Sequence, residues 1–240
     1  VSQIRMYAYD AKSAAWQMIP FQIDEVSETN EPYKRETFFH EHNGVLDALD
    51  EIVFMVRDLG DRADYSQWID NTDSQSNPRI EIQIYDPDAP EKKAYGYLFA
   101  SSTFDAPVPA PYGFQVDPQN HRIETNQYRV GFDEETTLIK DIAVKAPYGS
   151  GVDIFDTQKF RFVGKLLIGL LNFRLDGATE NYFLSYPAYD AYTESPVIRA
   201  IHNSRLTIID KEMLEDISFF NDPKFYPFGC ELSGGVELSE

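Results

Sequence analysis

Five apolar residues in succession, Ile52 to Val56, are closed on one side by Asp50-Glu51 and on the other by Arg57-Asp58. A run that short, rich in β-branched and aromatic side chains, suits a strand buried on both faces. An amphipathic helix would instead space its apolar positions three and four apart over ten or more residues. On this reading Leu49 to Asp58 is a core strand, and the chain is built around it.

The remaining apolar runs are also short and bounded by turn residues. Ile4 to Tyr9 and Ala15 to Asp24, separated by Asp10-Ala11-Lys12-Ser13, read as an opening hairpin, with Pro20 placing its strand at an edge or a bulge. Ser27 to Glu36 is a polar excursion, and Asn43-Gly44 is a turn. Asp58 to Asn77 reads as a long ordered loop anchored by Tyr65 and Trp68. Ile80, Ile82 and Ile84 alternate with charge or amide, the mark of a half-buried antiparallel strand, and Asp86 to Pro90 turns it into Ala94 to Ala100.

Pro107, Pro109 and Pro111 fix an extended connector and suggest two β-rich units, 1–105 and 106–240, unless the chain is one continuous domain. Further strands follow at Arg122-Ile123, Tyr128 to Phe132 and Thr137 to Val144. Phe160 to Leu175 reads as a strand pair or a strand bent at Gly169. Met213, Leu214, Ile217 and Phe220 share one helical face, and Asp210 is placed to cap it, so Asp210 to Phe220 is predicted as a short C-terminal helix. The predicted fold class is mainly β: an antiparallel β-sandwich of one or two units with that helix appended. Phe21-Gln22-Ile23-Asp24 and Phe114-Gln115-Val116-Asp117 echo each other, as a duplicated unit or two unrelated strands would.

Composition narrows the function classes. Forty acidic residues against 21 basic ones give a net charge of −19, which disfavours nucleic acid and anionic lipid as partners. The longest aliphatic run, Leu166 to Leu171, falls far short of the ~20 residues of a membrane helix. Cys230 is the single cysteine, so no intrachain disulfide forms. A start at Val1-Ser2-Gln3, with abundant Tyr, Asp and Asn, leads to the expectation of an extracytoplasmic protein: periplasmic, secreted or at the cell surface. The final Gly234 to Glu240 reads like the start of another strand, as in the N-terminal part of a longer protein.

Motifs for chemistry are sparse. Asp58, Asp61 and Asp64 place three hard oxygen donors on a glycine-containing loop, with Asp47, Asp50 and Glu51 just before it, and make a candidate Ca²⁺ loop. The order is not that of an EF-hand, and Arg62 competes for the same carboxylates. His40 and His42 share a strand face suited to a transition metal, or form a solvated pair before a turn. Met18 and Met55 suggest haem ligation in an accessory subunit of a redox complex, or ordinary core filling, and no Cys-x-x-Cys-His exists. Gly149-Ser150-Gly151 is a loop rather than a nucleotide fingerprint. Tyr182, Tyr186, Tyr189 and Tyr192 form a candidate aromatic binding surface for a protein partner or a glycan.

Two function classes follow. The first is a non-catalytic module for protein–protein or surface assembly, expected to show an apolar, tyrosine-bearing patch without convergent titratable groups. The second is a carbohydrate-binding or carbohydrate-active protein, a glycoside hydrolase or lyase, expected to show aromatics beside a carboxylate pair or a perturbed Tyr or His.

Overall fold

The computed structural model describes residues 1–25, 44–134, 138–156, 159–166, 171–178, 185–192, 196–210, 215–221, 223–231 and 234–238, with side chains in 1–25, 44–134, 138–156, 196–201 and 223–231. The chain is mainly β, its sheets antiparallel, and it divides into two units, Val1–Pro111 and Tyr112–Glu240. That division falls at the last proline of the connector. Among the described residues no helix is long and apolar enough to cross a membrane.

In the first unit, β1 (Ile4–Asp10) and β2 (Ala15–Met18) form the opening hairpin, and β3 (Phe21–Asp24) pairs with β4 (Glu51–Phe54). A second hairpin joins β5 (Ile80–Asp86) to β6 (Ala89–Ala100), and the sheet order is β2-β1-β6-β5. Alternation writes its two faces directly into the sequence. Met6 and Leu98 lie opposite one another on one face, Tyr7 and Tyr97 on the other. The first face buries Met6, Ala8 and Leu98 with Ile19 and Phe21, and Ile23, Ile52, Phe54 and Leu59 pack against them. The second is aromatic: Tyr9, Tyr95, Tyr97 and Phe99 are buried with Ala63 and Ile69, and Trp16 and Trp68 pack edge-on to Phe99 at 5.3 Å.

The central element is therefore β6, with β1 and β5 on its two sides, and not the stretch Ile52 to Val56. Only Glu51–Phe54 pairs, on one side and half-buried, and Val56 is 57% exposed in a 3-10 turn over Val56–Asp58. The apolar run ends its pairing at Phe54 because the chain must turn there to deliver Leu59 and Gly60. Beyond Tyr7 and Tyr97, β1 and β6 part, and Gly60-Asp61 enters the gap as a two-residue wedge. Gly60 N donates to Tyr95 O at 3.0 Å, and Asp61 N donates to Tyr9 O at 2.7 Å. A Cβ at position 60 would sit 2.3 Å from Tyr9 O, so only glycine fits.

In the second unit β7 (Gln115–Asp117), β8 (Arg122–Glu124), β9 (Tyr128–Phe132) and β10 (Ile139–Val144) run as a meander. Of the two expectations for Phe160 to Leu175, the strand pair is the one observed: β11 (Lys159–Leu166) pairs antiparallel with β12 (Leu171–Ala178). Then come β13 (Ser185–Tyr192), β14 (Ala200–Asp210), β15 (Glu215–Asn221), β16 (Lys224–Tyr226), β17 (Gly229–Glu231) and β18 (Gly234–Leu238), with β14 paired to β13, β15 and β16. The predicted helix Asp210 to Phe220 is corrected here. Glu215–Asn221 is a strand held between β14 and β18, and Asp210 ends β14 opposite Glu215. Hydrogen bonding to a strand on each side outweighs an apolar spacing that also fits one helical face. Ile123, Val130, Phe132 and Ile139 of the meander are buried with Ala200 and Phe225, and the Phe132 and Phe225 rings meet edge-on at 5.8 Å.

The echoed tetrapeptides occupy different positions. Asp24 is buried at the end of β3 and accepts from Gln22 Nε2, whereas Asp117 ends an edge strand and accepts from Asn120 N at 3.1 Å. Ser27 to Glu36, His40 and His42 lie outside the described residues.

Candidate functional site

Beyond β10 the chain turns back along that strand's outer side. Tyr148 N and Gly149 N both donate to Lys145 O, at 3.1 and 2.9 Å, Gly151 N donates to Val144 O at 2.8 Å, and Ile154 N donates to Ile142 O at 2.9 Å. The Asp153 carboxylate accepts from Ile142 N at 2.9 Å and Phe155 N at 3.0 Å, and these two donors, Phe155 first, hold its carboxyl below the ordinary range. A Cβ at Gly149 would lie 2.4 Å from Val144 O, and Gly151 has φ +75°, so both glycines are needed for the return. Phe155 packs on the buried cluster below. The loop is thus tied to the sheet through backbone, one carboxylate and one aromatic anchor.

Its other apolar side chains point outward. Tyr148 is 73% exposed, Val152 65% and Ile154 69%. Apolar side chains on a turn bonded this tightly remain in water because the backbone holds them there. Lys145, at the loop's base, is spent on the Glu124 carboxylate and on Thr125 O, and Asp153 is spent on backbone N–H groups. The surface that results is apolar and carries a tyrosine, with Lys145 and Asp153 already engaged.

The predicted sites fall elsewhere. The Asp58 carboxylate lies 3.8 Å from Arg57 Nε, Asp61 Oδ2 accepts from Ala11 N at 2.9 Å, and Asp64 takes part through its backbone, with Gln67 N donating to its carbonyl. Each does separate work in seating the wedge and the loop behind it. Among the described residues no group of three or more His, Cys, Asp or Glu is arranged to hold a metal ion, and the Asp58, Asp61 and Asp64 set is not brought together. Tyr186, Tyr189 and Tyr192 lie on β13 in register with Thr207, Arg205 and His202 of β14, while their side chains, and Tyr182 altogether, are outside the described residues.

A groove of about 370 Å³ opens in the first unit, lined by Tyr9, Asp10, Gln17, Pro20, Arg57 and Asp58. Asp10 accepts from Ser13 Oγ at 2.7 Å and Lys12 N at 2.9 Å, which keep its carboxyl below the ordinary range, so at neutral pH it is an anion rather than a proton donor. Tyr9 is buried and bonded by Gln67 Nε2, which leaves no ring face for a sugar. Burial pushes the hydroxyls of Tyr7, Tyr97 and Tyr128 upward from their ordinary range.

The loop Tyr148 to Ile154 was not singled out as a surface by sequence reasoning. The available signal was a tyrosine, a valine and an isoleucine packed among Pro147, Gly149, Ser150 and Gly151, where turn residues leave apolar side chains little core to enter. No protein-family model, no curated protein and no solved structure matches the chain.

Proposed function

We propose that the chain is a non-catalytic, extracytoplasmic β-sandwich module that binds a protein partner through Tyr148, Val152 and Ile154. The observation that carries this reading is the exposure of those three side chains on a loop tied by backbone hydrogen bonds to β10. Preorganised apolar residues with a tyrosine lose little conformational entropy on docking, and Lys145 and Asp153 need no new partners. The sandwich arrangement is supported in the first unit by the β3 and β4 side chains that cover one face of the four-stranded sheet. Export is supported by the acidic, tyrosine-rich composition.

The test is site-specific photo-crosslinking in the source cells, with a benzophenone side chain at position 152. One dominant protein adduct is expected, lost when Tyr148 and Ile154 are both replaced by serine. The double variant should unfold within about 0.5 kcal/mol of the parent, because exposed side chains away from caps and cores contribute little. A glycan-array signal that depends on Tyr148, with no protein adduct, would transfer the surface to the carbohydrate reading.

A further inference from the structure

The four edges of the two four-stranded sheets are not treated alike. The β10 edge is covered by its own returning loop, β7 has three residues and β2 has four. β5 is seven residues long, contains neither proline nor lysine, and pairs with β6 alone among the described residues. Its register is regular from Ile80 to Tyr85, with Ile80 50% and Tyr85 54% exposed. Edge strands are normally blunted by shortness, bulges, proline or charge, and among the first six residues of β5 the one such device is Glu81, whose carboxylate faces Arg62.

The sequence of that edge is self-complementary. In Ile80-Glu81-Ile82-Gln83-Ile84 a twofold axis through Ile82 sets Ile80 opposite Ile84 of a second copy, Ile82 opposite Ile82 of the second copy, and Glu81 opposite Gln83 of the second copy. Every isoleucine meets an isoleucine, and no carboxylate meets a carboxylate. A slip of one residue would set isoleucine against charge or amide on the wrong face. Glu81 also has the Arg62 guanidinium 3.2 Å away, which offsets its charge at the meeting edge.

We propose that β5 is an interface between two copies of this chain, paired antiparallel about Ile82 to make a continuous eight-stranded sheet. The proposal concerns Val1–Pro111 and is independent of the Tyr148 loop. An edge of seven residues buries less than a standard interface, and two chains of charge −19 repel, so the dimer forms at about 100 μM in about 150 mM salt.

Sedimentation equilibrium tests it directly. Gln83→Glu places a second carboxylate opposite Glu81 at both symmetric contacts and should weaken the dimer roughly tenfold, whereas Gln83→Lys should tighten it several-fold. Gln83 is exposed and its Oε1 accepts from Tyr95 Oη at 3.2 Å, an acceptor that Gln83→Glu keeps and Gln83→Lys removes, so the unfolding midpoint of each variant is measured beside its association. The register is tested in a Cys230→Ser background by oxidising Glu81→Cys and Gln83→Cys proteins, separately and mixed. The mixture should yield covalent dimer several-fold faster than either variant alone. A chain that stays monomeric across this range, a dimer indifferent to the charge at position 83, or cross-linking as fast in each variant alone would overturn the proposal.

Discussion

The two four-stranded sheets reach the same strand number by opposite routes. In the second unit β7 to β10 follow one another in space as in sequence, over residues 115–144, and the chain then seals the last edge itself. In the first unit two hairpins are joined by pairing Ile4 with Ala100 and Tyr7 with Tyr97, and the join must be completed by a wedge from residues 60 and 61. A local meander depends on its turns. A sheet closed across the sequence depends on single residues that lie in neither strand. The first unit should therefore be the more sensitive to isolated substitutions outside its strands.

Both tryptophans, Trp16 and Trp68, belong to the first unit, so their fluorescence reports its unfolding alone. The largest effect is expected at the wedge. Gly60→Ala forces a methyl group to within 2.3 Å of Tyr9 O and should cost the first unit about 3 kcal/mol. In urea the tryptophan transition should move down while amide protection of β8 and β9 stays as it was. An unchanged midpoint would show that the strands close without the wedge.

Next comes Arg79. Its guanidinium lies over Tyr97 at 4.8 Å, Trp68 at 5.7 Å, Tyr65 at 5.8 Å and Trp16 at 6.0 Å, and Nη1 donates to Gln67 O at 2.8 Å. One cation thus ties β5, the loop behind the wedge and the aromatic face together. Arg79→Ala should destabilise the first unit by about 2 kcal/mol, and Arg79→Lys should recover only part of it, lacking the planar fork. Equal stability of the Lys variant and the parent would mean that charge, not shape, is what counts.

The smallest effect separates the units by pH. Asp73 is held below the ordinary carboxyl range by the Ser101 hydroxyl, then by Ser102 N and the Ser102 hydroxyl, and Asp153 by Phe155 N and Ile142 N. A carboxyl whose folded pKa is depressed adds stability that is complete above its unfolded pKa of about 3.9, and that is lost as pH falls through the folded value. Asp73→Asn should flatten the acid limb of the tryptophan-reported transition. Asp153→Asn should leave that limb alone and alter exchange at the amides of Ile142 and Phe155. Identical acid limbs for both variants would mean that the two units unfold as one.

What the sequence disclosed tracks the same division between local and distant. Alternation at Ile80, Ile82 and Ile84 is a local pattern and appears where it is read, whereas the expected strand Ala15 to Asp24 divides at Ile19-Pro20 into β2, which completes the hairpin with β1, and β3, which pairs with β4, and the turn expected over Asp86 to Pro90 tightens so that β6 begins at Ala89. The run Ile52 to Val56 was read as a central strand because its apolar character says nothing about where pairing stops, and the stop is dictated by the distant pairing of Asp61 with Tyr9 and of Gly60 with Tyr95. Met213, Leu214, Ile217 and Phe220 satisfy a helical spacing, yet Glu215–Asn221 gains strand neighbours on both sides from elsewhere in the chain. Asp58, Asp61 and Asp64 lie close together in sequence, but their separate partners, Arg57, Ala11 N and the turn at Gln67, come from three-dimensional contacts that spacing alone does not disclose.

The pairing of Ile4 with Ala100 also carries a schedule. During synthesis β1 waits for its second neighbour until residues 97 to 100 have left the ribosome, with the aromatic face of the opening hairpin uncovered throughout. That interval is when a holding chaperone would find this chain, and the emerged segment that it would grasp is the hairpin Tyr7 to Trp16.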